Sequence, residues 1–228
     1  MNIRRPTVDY RKLRFGNLTS ETYRHLLLLL FWPVYGFLFL FVERFYQLPT
    51  DSYYEMYCGF DDLIPFCEWF VIPYFFWFIY LVGMHVYTLW YDVDAFKRMT
   101  KYIIITYSAT ILIYFIFPTK QCLRPDVFAR DNLLTRFIGH FYRFDTNTNV
   151  CPSIHVIGSL AVMEAALWSG SIKSKKIKIS FVIAAALICL STLFMKQHSI
   201  LDILAALPLC AAAHFLCFKK RAENKKEK

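Results

Sequence analysis

Apolar residues dominate this chain in long runs separated by short polar stretches, and the run lengths decide the class. Crossing about 30 Å of hydrocarbon takes roughly 20 mostly apolar residues in a helix. Six segments qualify as candidates: 25–42, 69–90, 102–117, 153–168, 177–194 and 200–218. No stretch between them is long enough for a separate soluble domain, so the sequence predicts one all-helical membrane domain over 1–228, a six-helix bundle. The first run follows a basic start but is longer than a signal core, and "ERFYQLP" after it has no small-residue cleavage pattern, so it reads as an uncleaved anchor.

A second periodicity lies in the connection between the third and fourth runs. In 131–144, Leu133, Leu134, Phe137, Ile138, Phe141 and Phe144 recur on one helical stripe, with Arg136, His140 and Arg143 elsewhere. That pattern predicts an amphipathic helix lying in the membrane interface. Pro33 and Pro73 are expected to kink their spans.

Composition agrees with the pattern: 57% of residues are hydrophobic and 19% aromatic, too apolar for an ordinary soluble domain. The net charge of +9 raises nucleic acid as a partner, but the charges follow topology. Lys and Arg gather in the N-terminal arm (Arg4 to Arg24), after the second run (Lys97, Arg98, Lys101), after the fourth (Lys173, Lys175, Lys176, Lys178) and in the tail from Lys219. Basic loops stay cytoplasmic, which places both termini inside, fits a plasma-membrane protein and removes the case for nucleic acid.

Arg44, Lys120, Arg124, Arg130, Arg136, Arg143 and Lys196 oppose that trend on the outer face, where an anionic ligand is a natural reason for them. Cys58, Cys67, Cys122 and Cys151 share that face, and four cysteines allow three pairings. Cys122 with Cys151 would staple the ends of the long loop. Cys189, Cys210 and Cys217 read as small core residues.

Three stretches are brought to this boundary by topology: "FPTKQCLRPD", "CPSIH" and "STLFMKQHSILD". His198 and Asp202 are four apart at a helix start and share a face, so the carboxylate can take the imidazole Nδ1–H and leave Nε2 as nucleophile or base. Alone, the pair reads first as a capped helix with a surface His near an Asp. Ser153 and His155 open the fourth run, where unpaired helix N–H groups attract phosphate; the alternative is a Ser cap and an interfacial His. Lys120, Arg124 and Lys196 supply cations that fit phosphate oxygens, or else anchor at the interface. His85 and His214, inside spans, read as hydrogen-bonded packing partners. Glu164, roughly 180° around the helix from His155, is expected to face away from the site, toward a cytoplasmic Lys.

Taken together, the three stretches resemble the motifs of the type-2 phosphatidic acid phosphatase superfamily of membrane lipid phosphatases and phosphotransferases. Lys120, Arg124 and Pro125 match its first motif, Pro152, Ser153 and His155 its second, and Ser191, His198 and Asp202 its third. Thr192 stands where the third motif has Arg, with Lys196 nearby as a substitute cation. The first-motif spacer is short, and Ile154 replaces a frequent Gly. The variant pattern is similar to the branch containing inositol phosphorylceramide synthases.

The resemblance implies a metal-independent, cofactor-free phosphatase acting on a lipid or isoprenoid phosphate or diphosphate. His198 would become a phosphohistidine, Asp202 would orient it, and His155 would protonate the leaving alcohol and then activate water. Lys120, Arg124, Ser153 and Lys196 would hold the phosphate. The alternatives are headgroup transfer to an acceptor hydroxyl, a lipid or anion transporter, and a catalytically silent binding protein.

Overall fold

The computed structural model describes residues 6–46 and 48–218. Arg4, Arg5 and the basic tail from Lys219 to Lys228 lie outside the described residues. Seven α-helices account for most of these: α1 (Phe31–Arg44), α2 (Val71–Tyr91), α3 (Val93–Ile116), α4 (Leu133–Phe144), α5 (Ile154–Trp168), α6 (Lys175–Phe194) and α7 (Ile200–Cys217). Five helical segments are long and apolar enough to cross a membrane: Arg24–Arg44, Glu68–Tyr91, Val93–Ile116, Lys175–Phe194 and Ile200–Cys217. The first of these begins as a 3-10 helix over Arg24–Leu30, and the second over Glu68–Phe70.

The fourth predicted run departs from that length. α5 has only 15 residues, about 22 Å of helix, short of the hydrocarbon thickness. Its position explains the shortfall. It packs against α2, α3, α6 and α7, and His155, Val156, Ile157, Gly158, Ser159, Ala161, Val162, Ala165 and Ala166 are all buried. A helix apolar on every side belongs inside a bundle, and its small residues let neighbours approach closely. Gly158 marks the tightest approach: a Cβ there would stand 2.6 Å from the Tyr107 hydroxyl and 3.0 Å from Trp77 Nε1. Gly158→Ala therefore overpacks the centre at a cost of about 1–3 kcal/mol, and a lower apparent Tm of the purified protein is the expected readout.

Two further expectations change. The basic loop expected at Lys97, Arg98 and Lys101 is helical, because α2 and α3 are separated by Asp92 alone. Asp92 caps α3 by accepting the Ala95 N–H at 3.1 Å, and this makes α3 a 24-residue helix rather than the segment 102–117. Pro33 and Pro73 each follow closely on the point where a 3-10 opening gives way to α-helix, and Pro208 lies inside α7. Glu164 lies 3.1 Å from His214 Nδ1, an α5–α7 contact instead of one with a lysine. His85 Nδ1 bonds the Leu81 carbonyl oxygen at 2.9 Å.

Side chains such as Ile72, Ile79, Val82 and Val86 on α2, and Ile179, Ile183, Leu187 and Leu190 on α6, turn outward at helical spacing. At one end of the bundle the loops form a cap. A two-residue parallel pair joins β1 (Tyr54–Glu55) to β2 (Thr119–Lys120), with Tyr54 opposite Thr119. α4 starts on a capping box between Asn132 and Thr135. Its Leu134, Ile138 and Phe141 pack on Val71, Tyr74 and Met195, while Leu133, Phe137 and Phe144 remain exposed.

Candidate active site

The turn between α6 and α7 is built by backbone closure. The N–H groups of Gln197 and His198 both donate to the Thr192 carbonyl, at 3.0 and 3.1 Å. Lys196, just before them, adopts a left-handed conformation, φ 51°, the usual way to end a helix and turn the chain. α7 then begins on Ser199, whose Oγ takes the Leu201 N–H, while Asp202 Oδ2 takes the Ser199 N–H at 3.0 Å. This reciprocal cap fixes Asp202 inward, with no solvent exposure.

His198 Nδ1 lies 3.0 Å from the same Oδ2. A carboxylate only accepts, so Nδ1 carries the hydrogen and Nε2 carries the lone pair. The spacing of four residues thus produces a buried, tautomer-locked imidazole, the arrangement a nucleophile requires.

α5 meets this turn head-on. The Ser153 N–H donates to the Asp202 carbonyl at 3.2 Å, and the Tyr114 hydroxyl donates to the Pro152 carbonyl at 3.0 Å. These bonds hold the His155 ring 6.0 Å from the His198 ring, centroid to centroid. His155 is packed between Tyr74 (4.4 Å) and Trp77 (4.5 Å) of α2. Both His155 ring nitrogens and Ser153 Oγ are buried without a hydrogen-bond partner. Ser153 caps α5 through its backbone position, with no bond from its side chain, so its hydroxyl is uncommitted. Unmet polar groups this close together are costly in a structural core and mark a place where a polar ligand completes the bonding.

A cavity of about 50 Å³ touches both imidazoles. That is space for a few water-sized groups. Glu43, Asp145, Tyr74, Tyr114 and Gln197 also line it.

The expected cations sit behind this cavity rather than in its wall. Arg124 is largely buried and wholly engaged. Its Nε and Nη2 donate to Gln197 Oε1 at 3.0 and 2.5 Å. Nη1 donates to the carbonyls of Tyr142 and Asp145, and Nη2 to that of Thr146. The guanidinium stacks on Tyr142 at 4.6 Å, with the Asp145 carboxylate 3.6 Å away. Burial lowers the Arg124 pKa, and burial raises that of Asp145 despite the cation beside it. Gln197 directly precedes His198, so Arg124 braces the α6–α7 turn through it. Lys120 Nζ donates to the Thr50 carbonyl at 3.1 Å, and Lys196 Nζ to the Asp61 carbonyl at 2.8 Å. None of Lys120, Arg124 and Lys196 lines the cavity, and each ties loops together through a bond to a nearby carbonyl oxygen.

The Cys122–Cys151 staple is corrected as well. Both are free thiols, one exposed and one buried. The loop ends are joined instead by hydrogen bonds of Thr119 to the backbone N–H groups of Asn149, Val150 and Cys151.

Sequence reasoning passed over the residues that hold the site in place. Asp61, from the acidic outer loop, is buried and accepts from Ser199 Oγ at 2.6 Å and the Ile200 N–H at 2.9 Å. Burial works to raise its pKa, and hydrogen bonds from Ser199, Ile200 and Cys58 outweigh that and lower it. A depressed folded pKa means the stabilisation is full above the unfolded value of 3.8 and is lost as pH falls through the lower folded value. Asp61→Asn is expected to lower the apparent Tm by several degrees at pH 7, and the gap to the parent should narrow as pH drops below that value. Glu43, near the end of α1, accepts a hydrogen bond from the Thr146 hydroxyl. Its signal was an acid at the end of an apolar run.

The chain matches no protein-family model, no curated protein and no solved structure.

Proposed function

We propose that this protein is a metal-independent phosphatase of lipid or isoprenoid phosphates or diphosphates, working through a phosphohistidine on His198. One observation carries the reading: a tautomer-locked His198–Asp202 pair stands beside a second, unpartnered imidazole, His155, and both rings line one small cavity. Phosphoryl transfer asks for a positioned nucleophile, a proton donor and charge stabilisation. His198 Nε2 attacks phosphorus, and the bond to the leaving alcohol breaks as His155 protonates that oxygen. His155 then takes a proton from water, which attacks phosphorus and releases the N–P bond. Ser153 Oγ and the start of α5 are placed to bind phosphate oxygens. Arg124 acts through Gln197, and swings onto the phosphate only if the ligand displaces that bond.

The same reading includes six passes, with α5 as the inner one, α4 lying at the interface, both termini cytoplasmic, and the site at the outer boundary. It includes membership of the type-2 phosphatidic acid phosphatase superfamily, on the three motifs. Phosphate release from a panel of lipid phosphates, measured with purified protein in excess chelator, tests it. Turnover unchanged by chelator is expected; turnover restored only by a divalent cation would contradict it.

A second reading, transfer of the phosphoryl headgroup to an acceptor hydroxyl, draws on Glu43 and Asp145. Two carboxylates in the cavity wall suit a ligand that donates hydrogen bonds. A new phospholipid formed when a polyol is added would favour it.

A further inference from the structure

Arg44, Lys120, Arg124 and Lys196, at the end of the bundle that holds the site, each donate to a carbonyl oxygen. Arg130, Arg136 and Arg143 stand at the same end and do something else: all three line one open groove of about 380 Å³ along α4. His140 is in the same wall, and Gly139, having no side chain, keeps the groove open beside the Phe128 ring.

Helical spacing explains the convergence. Arg136, Gly139, His140 and Arg143 recur at i, i+3, i+4 and i+7 and share one face of α4. At about 100° per residue, that face lies about 180° from Leu134, Ile138 and Phe141, which pack on the bundle, and about 90° from the exposed Leu133, Phe137 and Phe144. The groove is therefore on the far side of α4 from His155 and His198, and it shares no lining residue with their cavity. α4 turns one face to protein, an exposed apolar stripe beside it and a cationic stripe beyond, the layout of a helix lying among lipid headgroups.

The cationic stripe has hydrogens to give. A guanidinium carries five N–H donors. Asp131 accepts from Arg136 Nε and Nη2 at 2.7 Å each, and Glu68 accepts from Arg130 Nη1 at 3.2 Å. Arg143 makes no hydrogen bond or ion pair among the described residues. His140 Nδ1 lies 2.7 Å from the Arg136 carbonyl oxygen, so it carries the hydrogen and leaves Nε2 as the uncommitted nitrogen. Against three guanidiniums, the lining holds a single carboxylate, that of Asp131.

We propose that this groove seats the phosphate headgroup of an anionic membrane phospholipid, with Arg130, Arg136 and Arg143 on the phosphate and the lipid's chains against Leu133, Phe137 and Phe144. Guanidinium groups grip phosphate oxygens two bonds at a time. The exposed apolar stripe beside them favours a headgroup with its chains attached over a free ion. The site is separate from the one assigned to phosphatase chemistry and stands or falls without it.

The test uses full-length protein in detergent, with dioleoyl phosphatidylglycerol and dioleoyl phosphatidylcholine as probes and bound lipid counted by native mass spectrometry. The parent is expected to bind the anionic lipid at least about tenfold more tightly. Arg136→Gln and Arg143→Gln should each weaken that binding about fivefold, the effect of one cation near a charged headgroup, and leave phosphatidylcholine unmoved. Both side chains are exposed, so an unchanged Tm is expected in both variants. Lys176→Gln, an exposed charge at the start of α6 and the opposite end of the bundle, should change nothing. Equal affinity for the two lipids, or a loss in Lys176→Gln as large as in Arg143→Gln, overturns the proposal. Displacement of the lipid by millimolar inorganic phosphate makes this a site for the free ion and overturns the lipid assignment. A phosphatidylglycerol with a photoreactive headgroup should label the peptide 128–143; label confined to peptides containing His155 or His198 would place the lipid in the other cavity and refute the groove.

Discussion

His198→Ala is expected to abolish phosphate release, with a loss on the order of 10⁴-fold or more. The size follows from the role. An alanine leaves no atom to form the bond to phosphorus, and the remaining groups can only bind and polarise. The His198 ring donates to Asp202, while the closure of α6 and the cap of α7 are made by backbone, Ser199 and Asp202. Removing the ring therefore leaves the turn standing. The variant should insert, purify as a single species and keep its helical circular dichroism, and activity alone should disappear.

Asp202→Asn is expected to cost nearly as much, roughly 10³- to 10⁴-fold in kcat. An asparagine keeps the volume, and its amide oxygen in the place of Oδ2 can still accept both the Ser199 N–H and the His198 Nδ1–H, so α7 keeps its cap and the ring its tautomer. The side chain is now neutral, and the imidazole loses the negative charge that stabilises positive charge on the ring. KM should stay within about threefold, because Asp202 has no path to the substrate. A kinetic split of this kind, kcat lost and KM kept, separates an orienting carboxylate from a phosphate-binding group.

The contact between His198 and Asp202 was more legible in the sequence than the scaffold that supports it. His198 and Asp202 are four apart, and helical geometry alone makes them neighbours. His155 and His198 are brought together only by the packing of α5 against α7, and the alternation of basic loops was enough to put them at one boundary. What the sequence could not show is how cations choose partners. Lys120, Arg124 and Lys196 are spaced like phosphate ligands, but Arg124 commits its donors to carbonyls and Gln197, and each lysine gives one of its three to a carbonyl. Asp61 was unreadable for the same reason: it acts on Ser199, 138 residues away, and no local pattern carries such a contact. Composition alone could not show that α5 is enclosed by its neighbours, because burial inside protein and burial in lipid leave the same apolar pattern.

The central claim is a covalent one, and it is tested by trapping. Purified protein is mixed with a ³²P-labelled lipid phosphate, quenched in alkali within the first turnover, and digested. The account predicts an acid-labile, alkali-stable phosphoryl group on the peptide containing His198, absent in His198→Ala and accumulating in His155→Gln. Label on any other residue, or turnover with no labelled protein at any time point, would contradict it.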